Sequence, residues 1–207
     1  VRKDVERQVT PRGRARDVLV CLDLGSAASE RDDHDEALRL LRWAKQLAPR
    51  LPVVREALGI ALYRAERYEE ALAELQAYRR IGGARDQNHL IADSLRATGA
   101  PVDEVVEVAL SLADDASSRP EPRVEAAIVA ASVLEEAGAR QGGREVLARL
   151  RPVARGADPE VAARHHWAAA GLAERDGDVP GAVAELDALL ALGPDDDASA
   201  WRRRLRA

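Results

Sequence analysis

A spacing constrains this chain more than any single residue does. The stretch "LGSAASERDDHDEALRLLRWAKQLAP" (24–49) aligns with "LGIALYRAERYEEALAELQAYRRIGG" (58–83). Leu24 then meets Leu58, Gly25 meets Gly59, Ala37 meets Ala71, Leu38 meets Leu72 and Leu41 meets Leu75, every pair offset by 34. Val105 and Val106 stand the same distance further on, after the turn "TGAP". A period of this length marks a repeat of paired helices that cannot bury their apolar faces alone and must stack. Glycine on one helix and alanine on the next remove the side chains that would hold two backbones apart, and neighbouring leucines fill the grooves. Pro49 and Pro194 cannot continue a helix and so close their units.

Composition agrees with helices. Hydrophobic residues make up 46% of the 207, but aromatics only 3%, with no Phe and no Met. Such an interior is built from Ala, Leu and Val, and lacks the aromatic enrichment of sheets. The net charge of −5 is unevenly spread: residues 1–16 and the tail "WRRRLRA" each carry +4, leaving −13 between them. An acidic body argues against a broad phosphate-binding surface. Cys21 is the only cysteine, so no disulfide framework or cysteine-based metal site is expected. No apolar run approaches the roughly 20 residues of a membrane helix, and none follows the N-terminal bases as in a leader peptide. A cytoplasmic location is expected.

The period and its residues resemble the tetratricopeptide repeat. The first unit supplies Leu24, Gly25, Ala37, Leu41, Ala44 and Pro49. The second supplies Leu58, Gly59, Ala71 and Leu75, with Tyr78 and Gly83 where Ala and Pro are usual. The last supplies Trp167, Gly171, Ala182, Leu186 and Pro194, after a one-residue deletion in "RDGDVPG". The middle units are looser. The third has Ala92 and Asp93 in place of Leu-Gly; in the fourth, "VLARL" (146–150) echoes "ALAEL" (71–75), which puts the second-helix mark at Val146. Within that family, the run from Leu51 to Arg80 resembles repeat proteins of high-GC bacteria, and the scarcity of Lys and Asn fits such a genome. The resemblance implies an all-α solenoid of about five helix–turn–helix repeats with a C-terminal capping helix.

Helices are expected near 14–30, 34–47, 52–66, 68–80, 86–98, 102–114, 121–138, 142–154, 159–175, 179–191 and 195–206. Residues 1–13 are read as a basic segment outside the repeats, either disordered or folded over the groove. The solenoid spans 14–194, with a loop insert at "SSRPEPR" (117–123) that marks a bend, and 195–207 form the cap and basic tail. Acidic "DDHDE" suits the positive end of a helix, and Asp158 and Asp195 are cap candidates. Trp201 and Leu205, at i and i+4, give the last helix one apolar contact amid arginines, as a terminal repeat requires.

Candidate chemistry is sparse. His34 lies among consecutive acids that cannot converge on one ion. His165 and His166 are adjacent, about 100° apart on a helix, and are expected to pack or line a groove. The acids of "GPDDDASA" fit a cap better than a calcium loop, the glycine pairs lack the lysine of a phosphate loop, and Cys21 is expected as buried filler. No nucleophile, base and orienting group come together. No enzyme, cofactor or metal is expected.

Stacked repeats curve, and their first helices line the inner wall. The inward positions are expected to be Val53, Glu56, Ile60, Tyr63 and Arg64 in the second repeat, Gln87, Leu90 and Ser94 in the third, and Leu19, Leu22 and Ser26 in the first. This wall is largely apolar, and Tyr and Arg are the residue types that most often anchor interfaces. The expected function is a scaffold that takes a helical or apolar peptide segment in its groove. Residues 1–13 or a second copy of the chain, as a homodimer, are the competing occupants. The alternative is an RNA-associated repeat protein working through its basic termini. Nucleic acid is disfavoured by the acidic body, and no membrane partner is expected.

Overall fold

Small residues at fixed places decide how closely the helices approach. A Cβ on Gly25 would lie 2.7 Å from Leu41 Cγ, and one on Gly59 would lie 2.7 Å from Leu75 Cδ2. Both leucines are fully buried, so neither has room to yield. A computed structural model of the chain describes residues 2–9 and 12–206. Its described residues form helices α1 (Arg2–Gln8), α2 (Arg12–Glu30), α3 (His34–Leu47), α4 (Pro52–Arg64), α5 (Tyr68–Gly82) and α6 (Asn88–Ala97). They continue as α7 (Val102–Ala113), α8 (Pro120–Glu136), α9 (Arg140–Ala154), α10 (Pro159–Arg175), α11 (Val179–Leu190) and α12 (Asp196–Arg206).

The helices gather into two compact units that divide between Gly99 and Ala100. In the first unit, α2 pairs with α3 and α4 with α5; α3 packs on α4, and α5 on α6. Its core runs from Val5, Val18 and Leu41 to Val54, Leu58 and Ala71. In the second unit, α7 packs on α8, α8 pairs with α9, and α10 with α11, on which α12 lies. There Ala170, Leu186, Leu189 and Ala198 form the centre of one cluster, flanked by Trp201 and Leu205. This is an all-α arrangement of helix–turn–helix repeats with a capping helix, as the spacing implies.

Helix ends follow the local chemistry. Asp33, Asp158 and Asp178 each cap a helix by accepting a backbone N–H, on Glu36, Glu160 and Gly181 respectively. Asp195 does the same for Ala198 at 2.8 Å. Glycines with positive φ close the turns after α5, α6, α8 and α10: Gly83, Gly99, Gly138 and Gly177. The turns after α2 and α4 instead force Asp32 (φ 58°) and Glu66 (φ 56°) into the left-handed region.

Three features depart from the sequence reading. Residues 2–9, within the segment set outside the repeats, carry α1, and Val5 of this helix and Val9 just after it are buried in the first unit's core. The proline-bearing loop ends earlier than its prolines, because α8 starts at Pro120. The first turn of a helix has no internal acceptor for its N–H groups, so Pro120 and Pro122 lose nothing there. The fourth repeat is in a different register. Gly143, not Val146, lies against α8, where an added Cβ would meet the Ala131 carbonyl oxygen at 2.8 Å. Leu147 then joins Leu41, Leu75 and Leu186 as the fully buried leucine of its repeat. The string likeness misled because glycine had taken the alanine's place.

Candidate functional site

Two kinds of region concentrate polar chemistry. In the first unit, α2, α4 and α6 are the first helices of successive repeats, and α4 touches both of the others. Val53, Glu56, Ile60 and Tyr63 are half-buried on α4, and Arg64 is exposed. Polar rungs join α4 to its neighbours. Gln87 Nε2 donates to Glu56 Oε1 at 2.9 Å, Tyr63 Oη donates to Asp93 Oδ2 at 2.5 Å, and Arg64 donates to the Ser29 carbonyl at 3.1 Å. Leu90 is half-buried on α6. Ser94, read from sequence as facing inward, is fully buried, and so is Leu22 to within 6%; both belong to the core. Ser26 is exposed.

These rungs shift the acids and phenols. Burial raises the Glu56 carboxyl above its usual range, against the lowering effect of its Gln87 bond. Burial, then the Asp93 carboxylate, pushes the Tyr63 phenol well up, so Tyr63 stays a donor at any physiological pH. Asp93, which replaces the usual glycine of the third repeat, was legible only as a departure from pattern. In the structure its carboxylate is the acceptor of the Tyr63 hydroxyl.

The second region recurs in both units, and of its residues the sequence reading singled out only His166, as one of a pair that packs or lines a groove. Glu74 on α5 is buried, accepting from Lys45 of α3 at 2.5 Å and from Arg55 of α4 at 2.6 Å. Glu185 on α11, also buried, accepts from Arg151 of α9 and from His166 Nδ1 of α10, the latter at 2.7 Å. Taking Ala37, Ala71, Gly143 and Ala182 as equivalent, Lys45 matches Arg151 and Glu74 matches Glu185. One carboxylate thus ties three helices in each unit. Burial, then the neighbouring His165 and the Arg151 and Arg155 charges, holds the His166 imidazole down at about 4. It is therefore neutral and donates Nδ1–H. His165 donates Nε2–H to the Leu147 carbonyl at 2.9 Å, while its Nδ1 is buried without a partner.

Beside each buried glutamate lies a groove. In the second unit it runs between α9 and α11 over α10 and encloses about 520 Å³. Its walls are small, with Ala148, Ala184 and Ala188 prominent, and Leu147 and Leu172 lie in its floor. The corresponding groove between α3 and α5 encloses about 410 Å³. Among the described residues no group of His, Cys, Asp and Glu is arranged to hold a metal ion, and no helix is long and apolar enough to cross a membrane.

The basic C-terminal tail is largely engaged. Arg202 and Arg206 of α12 pair with Asp187, and Arg204 pairs with Glu174, which also accepts from Trp201 Nε1. Trp201 meets Trp167 edge to face, with centroids 5.0 Å apart. These contacts fix the cap onto α10 and α11.

No protein-family model matches the sequence, and no curated protein matches it. Solved structures do resemble it. PilF of Pseudomonas aeruginosa superposes with a TM-score of 0.69 at 17% identity, over 89% of this chain and 80% of that one. TTC0263, a thermophilic TPR protein of Thermus thermophilus, gives 0.66 at 20% identity, over 91% and 98%. The fold is that of the tetratricopeptide-repeat proteins. YrrB, a TPR protein with an unusual peptide-binding site, has a TM-score of 0.59 at 14% identity, over 89% and 90%. At these identities the likeness establishes the tetratricopeptide-repeat architecture.

Proposed function

We infer that this protein is a non-enzymatic interaction scaffold. It takes a helical or apolar peptide segment along the first-helix wall of its first unit. The observation that carries this reading is the α4 face. Val53, Ile60 and Tyr63 are half-buried, so each keeps part of its surface free, and flanking rungs to Ser29, Gln87 and Asp93 hold the face in place. A preorganised apolar strip with fixed polar edges binds a chain segment at low ordering cost. The tetratricopeptide-repeat fold supports the same class of function, and YrrB is described as having a peptide-binding site. The RNA reading is weakened because most arginines of the C-terminal tail already pair with carboxylates.

Site-specific photocrosslinking tests the wall. A benzoylphenylalanine at Ile60 is expected to capture a discrete polypeptide in cells, and one at the exposed Glu69 of α5 is not. Equal adducts from both positions, or none from Ile60, would overturn the wall as the docking face.

A further inference from the structure

The two grooves occupy the same place in the repeat, yet only one is closed across its middle by an ion pair. In the first unit, Arg42 of α3 reaches across to Glu70 of α5 at 3.0 Å and bridges the groove. By the register of the fully buried leucines, the matching residues in the second unit are Ala148 of α9 and Gly181 of α11. Neither side chain can bridge, so the α9–α11 groove is open at this point; the pairs that reach across from α9, Arg144 to Asp178 and Arg151 to Glu185, lie on either side of Ala148 along the helix. Its charges also differ. Arg42 and Lys45 are balanced by Glu70 and Glu74 in the closed groove. In the open one, Arg144 pairs with Asp176 and Asp178, and Arg151 pairs with Glu185. The guanidinium of Arg155, one turn beyond Arg151, lines the same groove with no hydrogen bond or ion pair among the described residues.

We propose that the α9–α11 groove is a second docking site, separate from the α4 wall, for an acidic, leucine-bearing peptide segment of a partner protein. Alanine walls over a Leu147 and Leu172 floor accept apolar side chains, and the unneutralised Arg155 selects a carboxylate beside them. Length favours a chain segment over a compact small molecule. From Arg144 to Arg155 the helix rises about 16 Å, the reach of three helical turns of a bound peptide. The buried Glu185, already satisfied by Arg151 and His166, sets the back of the groove without competing for the incoming charge.

The test titrates the full chain with a synthetic peptide of about a dozen residues made from leucine, alanine and glutamate. A matched peptide has glutamine for glutamate. The methyl signals of Ala148, Ala184 and Ala188 are expected to shift with the glutamate peptide, and the glutamine version to bind at least fivefold more weakly. Arg155→Glu and Ala148→Arg are each expected to lower affinity for the acidic peptide by at least tenfold. Both positions are exposed, so circular dichroism and melting should match the parent; if Ala148→Arg fails to fold, Arg155→Glu decides alone. No methyl shift at millimolar peptide, or affinities within twofold across the variants, overturns the proposal. Hexanoate moving the same methyls as strongly as the peptide would reassign the groove to small acids and overturn the peptide segment. None of these outcomes bears on crosslinking at Ile60, so the two sites stand or fall separately.

Discussion

Neighbouring glycines in α9 separate two opposite effects of one methyl group. At Gly142 an added Cβ would meet Leu134 Cδ1 at 3.6 Å, an ordinary contact. At Gly143 it would meet a backbone oxygen at 2.8 Å, which cannot move without shifting α8. Glycine in a helix interior costs about 0.5–1 kcal/mol relative to alanine, so Gly142→Ala is expected to stabilise the protein by about that much. Overpacking costs about 1–3 kcal/mol, so Gly143→Ala is expected to destabilise it. Urea unfolding of the two variants checks the sign, and like signs would mean that the helix contact is wrongly placed. The same residues show what was legible. Gly25 and Gly59 announced their packing because leucine followed each at a fixed distance. Gly143 did not, since the likeness of "VLARL" to "ALAEL" drew the repeat mark to Val146 instead.

Among the elements, helix boundaries were legible because caps and breakers are local chemistry. The buried glutamates were not. Glu74 and Glu185 sit among acids and alanines on amphipathic helices, where a carboxylate reads as solvent-facing; only the stacking of a third helix buries them. The turns carry a sharper consequence. Gly138 and Gly177 take the left-handed conformation freely, whereas Glu66 takes it between α4 and α5 at a cost of about 1 kcal/mol for a side chain with a Cβ. Glu66 is exposed and has no side-chain hydrogen bond or ion pair among the described residues, so little offsets that strain. Glu66→Gly is expected to stabilise the protein, by up to about 1 kcal/mol less the extra freedom glycine gains in the unfolded chain. A melt that drops instead would show that the side chain has an unrecognised role in the turn.

For the whole molecule, stability in mild acid is expected to fall through histidine in both units. His89 in the first and His166 in the second have imidazoles held down at about 4, chiefly by burial, whereas an unfolded histidine titrates near 6.5. A depressed imidazole favours folding above pH ~6.5, and that advantage is lost as the pH falls toward 4, because the unfolded chain takes up the proton first. At pH 4.5 the loss is on the order of 2 kcal/mol for each group. His165 is shifted the same way and adds to it in the second unit. Glu56 opposes it in the first, since a raised carboxyl favours the folded state as it protonates. The carboxylates held low by arginines or caps, Glu70, Glu174 and Asp178, begin to lose their contribution as the pH enters the ordinary carboxylate range, so a parent–variant difference is what isolates one histidine. His166 faces Glu185 and the Arg151 and Arg155 charges, and glutamine there keeps a donor for Glu185 while removing the titration. Urea unfolding of His166→Gln at pH 7 and pH 4.5 is therefore expected to lose about 2 kcal/mol less than the parent between the two conditions. Parallel losses in parent and variant would mean that His166 carries its proton in the folded protein. Glu185 would then hold a cation from α10 as well as one from α9, and the open groove beside it would be more basic than its resting charges imply.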